Sequence, residues 1–211
     1  MTKNRNLDFD TAENSQNRRI QAAGQQVYAP VGYTATNPDY PMNITDRKIL
    51  YDGHYKLTQL LVQHGGKQLK RERFEPGSAV AALVFDTQKQ RYVFVRQFRI
   101  GSETELLEIP AGMLDKEGES PEDAMRREIH EELGYDVDRL TPITNFYSSP
   151  GGSAEQLWLY YAEVSHQSGA GGGAIDEDEN IELVFLSRQD MVEEPWQDAK
   201  TIIAVQWAQL Q

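Results

Sequence analysis

Residues 112–135 read GMLDKEGESPEDAMRREIHEELGY, and the run Arg127-Glu128-Ile129-His130-Glu131-Glu132-Leu133-Gly134 inside them is the most informative part of the chain. The stretch predicts a helix. Ser120 is placed to cap it, Pro121 suits the first helical position, and Asp123 at N3 forms an approximate capping box with Ser120. Gly134 supplies the C-terminal stop. Met125, Ile129 and Leu133 recur at i, i+4 and i+8, a stripe to bury against a core. Glu128, Glu131 and Glu132, at i, i+3 and i+4, share an adjacent face directed at a cleft. Like charges so spaced destabilise a bare helix by about 0.2–0.5 kcal/mol per pair. A divalent cation held by hard oxygen ligands would compensate.

An arbitrary Glu-x-x-Glu-Glu is most often a solvated acidic face, here paired with Arg126 and Arg127, because surface ion pairs contribute little. The surrounding residues reverse that expectation. The pattern resembles the Nudix box, Gly-x5-Glu-x7-Arg-Glu-U-x-Glu-Glu-x-Gly-U, where U is an aliphatic or aromatic residue. From Glu119 onward every fixed position matches: Arg127, Glu128, Ile129, Glu131, Glu132, Gly134 and Tyr135. One departure stands: Gly112 and Glu119 are separated by residues 113–118, one more than the pattern asks. The extra residue lies in the loop before the helix, where insertions are best tolerated. It bears on where Glu119 and the Ala111 carbonyl sit.

Composition sets outer bounds. A chain of 211 residues fits one domain, or one domain with a small appendage. The absence of cysteine excludes disulfides, thiolate catalysis and zinc–thiolate sites. No apolar run approaches the roughly 18 residues that span a bilayer, and residues 1–19 lack the hydrophobic stretch of a signal peptide. Asn43-Ile44-Thr45 fits a glycosylation sequon, which means little without a secretion signal. A soluble, cytoplasmic protein is the expectation. The formal net charge of −12 opposes binding to nucleic acid or an anionic membrane. It does not oppose a small phosphorylated substrate met by local cations.

The chain divides by texture. Residues 1–42 are polar and interrupted by Pro30, Pro38 and Pro41, and read as a flexible or pendant arm. Residues 43–76 hold three expected strands, 48–51, 55–62 and 68–74, a small antiparallel β-domain too small to be stable alone and so expected to dimerise. Residues 77–211 form the expected catalytic domain. Its signals are a hairpin from 79–85 and 92–98, a short strand at 106–109, the box helix, and strands at 143–147, 156–164 and 181–186. Helices follow at 188–195 and 198–210, the second burying Ile202, Val205, Trp207 and Leu210. Gly169 to Gly173 reads as a mobile loop, followed by the acidic run Asp176-Glu177-Asp178-Glu179. Such runs are usually hydrophilic loop tips. A carboxylate on a glycine-rich segment can also move into a site on closure. The four histidines are scattered without ligand spacing, and His130 is read as surface.

Across about 45–210 the resemblance is to the ADP-ribose pyrophosphatase, or nucleoside-diphosphate-sugar hydrolase, branch of the Nudix family. It implies an α/β fold, the Nudix α/β/α sandwich with a mixed sheet and a small N-terminal antiparallel β-domain. It also implies a homodimer that exchanges N-terminal domains, so that active sites are shared. Two or three Mg²⁺ ions, with Mn²⁺ as the alternative, would be held by Glu128, Glu131, Glu132 and the Ala111 carbonyl, bridging phosphate oxygens and activating water. Attack of that water on phosphorus would release AMP and ribose 5-phosphate from ADP-ribose. Arg127, at i, i+4 from Glu131, joins the catalytic set by orienting that carboxylate. Matching the branch's acidic loop gives Glu177 the role of base and Glu179 that of a metal ligand, with neighbouring acids of the run as alternatives. Arg99, in Arg96-Gln97-Phe98-Arg99, matches the phosphate-facing arginine. Arg71 is a second cationic candidate, although isolated strand arginines are usually solvated. Gly112 and Met113 of the box loop, and Ser149 and Gly151 of a Ser-Pro-Gly-Gly turn, complete the substrate contacts. The Tyr51-Asp52-Gly53 turn nominates His54 or Tyr55 to sandwich the base, Tyr55 being the better stacking surface. A GDP-mannose or UDP-sugar pyrophosphatase fits the same residues. A non-catalytic ADP-ribose sensor fits less well, because such regulators usually lose box carboxylates and this chain keeps all three.

Overall fold

Residues 42–172 and 181–211 are described by the computed structural model. The acidic run 176–179, with Glu177 and Glu179, and nearly all of the N-terminal arm lie outside the described residues. Strands β1 (Asn43–Asp52), β2 (Lys56–His64) and β3 (Lys67–Glu75) pair in that order as an antiparallel sheet. Gly65 and Gly66 turn β2 into β3 with φ of 54° and 74°, a conformation glycine adopts without a Cβ clash. The end of β3 is tied to the Ser-Pro-Gly-Gly turn, since Phe74 N–H donates to Gly152 (2.8 Å) and Ala154 N–H donates to Phe74 (2.9 Å).

The larger sheet has seven strands: β4 (Ala79–Asp86), β5 (Arg91–Arg99), β6 (Thr104–Glu108), β7 (Ala111–Met113), β8 (Tyr135–Tyr147), β9 (Gln156–Gln167) and β10 (Glu182–Leu186). Their order is β10-β5-β4-β9-β8, with β6 added to β5 and β7 to β4. β4 and β9 run parallel and the other pairs antiparallel, so the sheet is mixed as expected.

Strand alternation divides the core into two layers. Val80, Ala82 and Val84 of β4, with Val93 and Val95 of β5, meet Ala124, Met125, Ile129 and Leu133 of the box helix. Ala81, Leu83, Phe94 and Ile109 meet Met191 of α2 (Arg188–Glu193) and Ala204, Val205 and Ala208 of α3 (Ala199–Gln209). A strand buried on both faces reads as a continuous apolar run, and Ala79 to Phe85 does. Met125, Ile129 and Leu133 are each fully buried, together contributing several kcal/mol at about 1.5–3 kcal/mol per side chain.

The box helix begins as its sequence indicates. In α1 (Pro121–Glu128) Asp123 N–H donates to Ser120 Oγ (3.1 Å). The Asp123 carboxylate takes the Ser120 hydroxyl (2.7 Å), a variation on the expected capping box. From Ile129 to Leu133 the helix widens into a π-helical turn, closed by Gly134 at φ 73°. Other expectations are corrected. β8 starts at Tyr135, eight residues before the strand the sequence indicated at Ile143. It tolerates Pro142 because it is an edge strand with register shifts, where a missing N–H is harmless. Of the residues expected to be buried on the last helix, Val205 is, Ile202 and Trp207 are half-buried and Leu210 is 84% exposed; Lys200, Thr201, Ala204 and Ala208 complete the buried face of α3. Among the described residues no helix is long and apolar enough to cross a membrane.

Candidate active site

Arg127 organises the box. Its Nε and Nη2 donate to the two carboxylate oxygens of Glu119, both at 3.0 Å, a fork-to-fork pair. Its Nη1 donates to Glu128 (2.5 Å) and to Glu131 (3.0 Å). Nη2 also reaches the Met113 carbonyl at 3.4 Å. The hydrogen bonds from Arg127 hold the Glu119 carboxyl below the usual glutamate range, and in return Glu119 foremost, with Glu128 and Glu131, raises the guanidinium. The extra residue before Glu119 is absorbed by a turn in which Glu119 N–H donates to Lys116 (3.1 Å) and Gly118 takes φ 79°. Glu119 therefore reaches Arg127 despite the departure from the pattern.

Glu128 leaves α1 toward the β7 backbone. Its carboxylate lies where a Cβ on Gly112 would stand, so any larger residue at 112 would displace it. That contact sets Glu128 beside the peptide unit of Ala111 and Gly112. Glu132 is buried to 3% exposure, and Glu131 is the more open member of the set. Among the described residues no three acidic or histidine side chains converge on one metal point. The positive charge among Glu119, Glu128 and Glu131 is the guanidinium of Arg127. The donor set itself suits a hard divalent cation, being all oxygen, and Gly112 gives Glu128 room to lie against the backbone. Glu128, Glu131, Glu132 and the Ala111 carbonyl fit that task.

The other sequence candidates distribute as follows. Arg99 forms a two-point pair with Glu108, Nε to Oε1 at 2.6 Å and Nη2 to Oε2 at 2.9 Å. Glu108 is 1% exposed and also bonds Lys200, which pairs with Asp198 at 3.1 Å. Burial pulls the Arg99 guanidinium down, but hydrogen bonds and charge from Glu108, then the charges of Glu132 and Asp198, carry it upward. Arg71 donates to the Lys70 carbonyl (2.8 Å) and lines a cavity of about 280 Å³ with Gly151, Gly152 and Leu60, so Arg71 and Gly151 are brought together. Ser149 contributes its carbonyl, which accepts from Gly152 N–H (3.2 Å) and Ser153 N–H (2.9 Å). Tyr55 is 40% exposed and packs edge-on against Phe74 at 5.0 Å and His54 at 4.4 Å. Those rings border a second cavity, about 350 Å³, with Tyr51, Lys56 and Leu57. Neither cavity includes a box carboxylate. Met113 is 41% exposed at the end of β7.

Glu108 and Lys200 escaped the sequence reading. The available signal was a charge inside an apolar strand, Leu106-Leu107-Glu108-Ile109, and another on the buried face of α3. Two such intrusions demand partners, and here they are each other.

A family model described as the NUDIX domain matches residues 75–206. An ADP-ribose pyrophosphatase of Escherichia coli (strain K12) is 38% identical over 185 residues, covering 80% of this chain and 88% of that protein. A GDP-mannose pyrophosphatase of the same strain is 34% identical over 177 residues, covering 77% and 92%. A solved structure described as an ADP compounds hydrolase superposes with a TM-score of 0.68 at 20% identity, over 80% of this chain and 92% of that one, a likeness of fold.

Proposed function

This chain belongs to the NUDIX family, and on that premise we propose that it hydrolyses the diphosphate of ADP-ribose to AMP and ribose 5-phosphate with Mg²⁺, or Mn²⁺, as cofactor. The observation that carries the reading is the intact set Glu128, Glu131 and Glu132, of which Glu128 and Glu131 are drawn together with Glu119 around Arg127, Glu128 lying beside the Gly112 backbone. Pyrophosphatases of this family generally use a divalent metal. Bound by Glu128, Glu131, Glu132 and the Ala111 carbonyl, the metal would neutralise diphosphate charge and lower the pKa of water.

The chain's own residues supply the rest. Arg127 keeps the carboxylates from splaying apart under their mutual repulsion. Glu177 accepts the proton of the attacking water as the new P–O bond forms, and the bond to the bridging oxygen breaks to free AMP from ribose 5-phosphate. Glu179 adds a further oxygen ligand. Both assignments rest on the likeness of the acidic run to the branch's loop. Arg99 offers the diphosphate the N–H groups that Glu108 leaves over, its fork held in one orientation by that pair. Gly112, Met113, Ser149 and Gly151 line the approach of the substrate.

The protein acts in the cytoplasm as a homodimer with shared sites. The residue pattern supporting the dimer is on β1, the edge strand of the small sheet. Ile44, Ile49, Leu50 and Tyr51 there are 43%, 54%, 44% and 63% exposed. An edge with unpaired backbone groups and apolar side chains is a template for association. A second copy covering it brings Arg71 and Tyr55 of one subunit to the other's box. The relative acting on GDP-mannose favours a second reading, hydrolysis of another nucleoside diphosphate sugar at the same site.

A panel of ADP-ribose, GDP-mannose and UDP-glucose with Mg²⁺, read by release of nucleoside monophosphate, tests the proposal. ADP-ribose is expected to give the highest kcat/KM. Preference for GDP-mannose selects the second reading, and no release from any of the three rejects both.

A further inference from the structure

The carbonyl end of the box helix is not capped by solvent. Helices leave their last four carbonyls without intrahelical donors, and here residues 167–172 supply donors to Glu132, Leu133 and the capping Gly134. Gln167 Nε2 donates to Leu133 O (3.3 Å), and the N–H groups of Ser168 (2.8 Å) and Gly169 (2.9 Å) both donate to Gly134 O. Gly172 N–H reaches furthest back, to Glu132 O at 2.7 Å. The described part of the segment expected to be mobile, 169–172, is thus fastened to the residue that carries a box carboxylate.

Only glycine permits the approach at two positions. Gly134 and Gly171 have φ of 73° and 67°, and a Cβ on Gly134 would overlap the Gly169 carbonyl. A Cβ on Gly171 would stand 2.7 Å from Glu132 O and 2.8 Å from the Leu133 carbonyl carbon. Gly169 differs, for its Cβ would meet Gly134 Cα at 3.4 Å, an ordinary contact. The clasp therefore has a defined point at which it can be forced open and a neighbouring point at which it cannot.

We propose that Gly171 and Gly134 are positioning residues: they let the 167–172 segment clasp the π-helical turn and so fix Glu132 in the orientation that binds the divalent cation. The turn matters because π-helical geometry is rare and is frequently found at functional sites. Glu132 is nearly fully buried, so a shift of its backbone carries its carboxylate with it, and the backbone is what Gly172 N–H holds. Fastening and cation binding are one equilibrium in this arrangement. The inference rests on the reading of Glu128, Glu131 and Glu132 as cation ligands.

The test is Mn²⁺ binding to the full chain without substrate, followed by electron paramagnetic resonance, alongside thermal unfolding in EDTA. Outer contacts of metal ligands typically change affinity 10–100-fold. Gly171→Ala is expected to weaken Mn²⁺ binding about tenfold or more, with a lowered but still cooperative unfolding transition, since the added Cβ strains the folded backbone. Gly169→Ala is expected to bind within about twofold, because it adds a methyl without opening the clasp. Gln167→Ala, which deletes one donor and adds no strain, is expected to weaken binding about threefold, the scale of one hydrogen bond. If Gly171→Ala does not fold, Gln167→Ala decides. Unchanged Mn²⁺ affinity in the folded Gly171→Ala, or in Gln167→Ala when it decides, would overturn the proposal. So would equal weakening by Gly169→Ala. Failure of the unmodified protein to bind Mn²⁺ would instead strike at the cation reading itself.

Discussion

Arg127→Ala removes the guanidinium that holds Glu119, Glu128 and Glu131 together, and its cost is set by how dry each bond is. The side chains of Arg127 and Glu128 are 19% and 12% exposed. A hydrogen bond to a charged group in such a setting contributes about 1.5–3 kcal/mol. Glu131 is 39% exposed, so its share is screened and adds only a few tenths. The Glu128 and Glu131 bonds alone then account for a loss of about 2–3 kcal/mol in the absence of metal, equivalent to a fall in Tm of roughly 4–12 °C at 2–4 °C per kcal/mol, before the pair with Glu119 is counted. Mg²⁺ at 100 times its Kd stabilises either form by about 2.7 kcal/mol, and the gap narrows because carboxylates freed of the guanidinium bind the cation more tightly. Arg127→Lys separates charge from geometry, since an ammonium lacks the planar fork. It should recover only part of the loss. Calorimetry or circular dichroism in EDTA and in excess Mg²⁺ gives both numbers. An Arg127→Ala midpoint within about 1 °C of the unmodified protein in EDTA would refute the organising role of Arg127.

Glu177→Gln should lose roughly 10²–10⁴ in kcat with KM little changed, as for a base acting in the transition state, whereas Glu179→Gln should raise the Mg²⁺ requirement; exchanged phenotypes in steady-state assays would move the assignment by two residues. Asp86 is 1% exposed and accepts from Gln88 N–H, Lys89 N–H and the Tyr135 hydroxyl at 2.9, 2.8 and 2.7 Å. Burial pushes its carboxyl up, but these donors together hold it below its ordinary value of 3.8. A depressed carboxylate stabilises above its unfolded pKa and loses that contribution as pH falls through the folded one. The stability gap to Asp86→Asn should therefore be constant from neutral pH to about 5 and close below about 4, and a gap that widens on acidification would contradict the sign. Tyr55→Ala should raise KM for ADP-ribose about tenfold with a smaller change in kcat, because stacking on the base is remote from phosphorus; an active monomer by light scattering would remove its shared-site role.

The box helix was legible in the sequence because each local signal agreed with the others. Ser120 caps it, Met125, Ile129 and Leu133 bury, and Gly134 ends it, all as their spacing indicates. The widening over Ile129–Leu133 was not legible, since a π-helical turn keeps the same residues and depends on the 167–172 segment far along the chain. The first half of β8 was hidden by Asp136, Asp138 and Pro142, which an edge strand accepts and a central one does not. Ala111–Met113 was too short and too small-residued to read as a strand, and it pairs only because β4 presents Ala79 to Ala81 opposite. Arg99 stood out as the match to a phosphate-facing arginine, but its partner Glu108, nine residues on inside an apolar strand, did not. Pairings between residues distant in sequence are what a single chain conceals most.

In the proposed function, Glu128 and Glu132 hold the cation on which diphosphate hydrolysis depends. Steady-state turnover of ADP-ribose by Glu128→Gln and Glu132→Gln, at saturating Mg²⁺ and with folding checked by circular dichroism, tests it most directly. Each variant should fold, because relief of carboxylate repulsion offsets the lost bonds, and each should lose at least about 100-fold in kcat through loss of Lewis-acid assistance. Turnover close to that of the unmodified protein in either folded variant would contradict the claim.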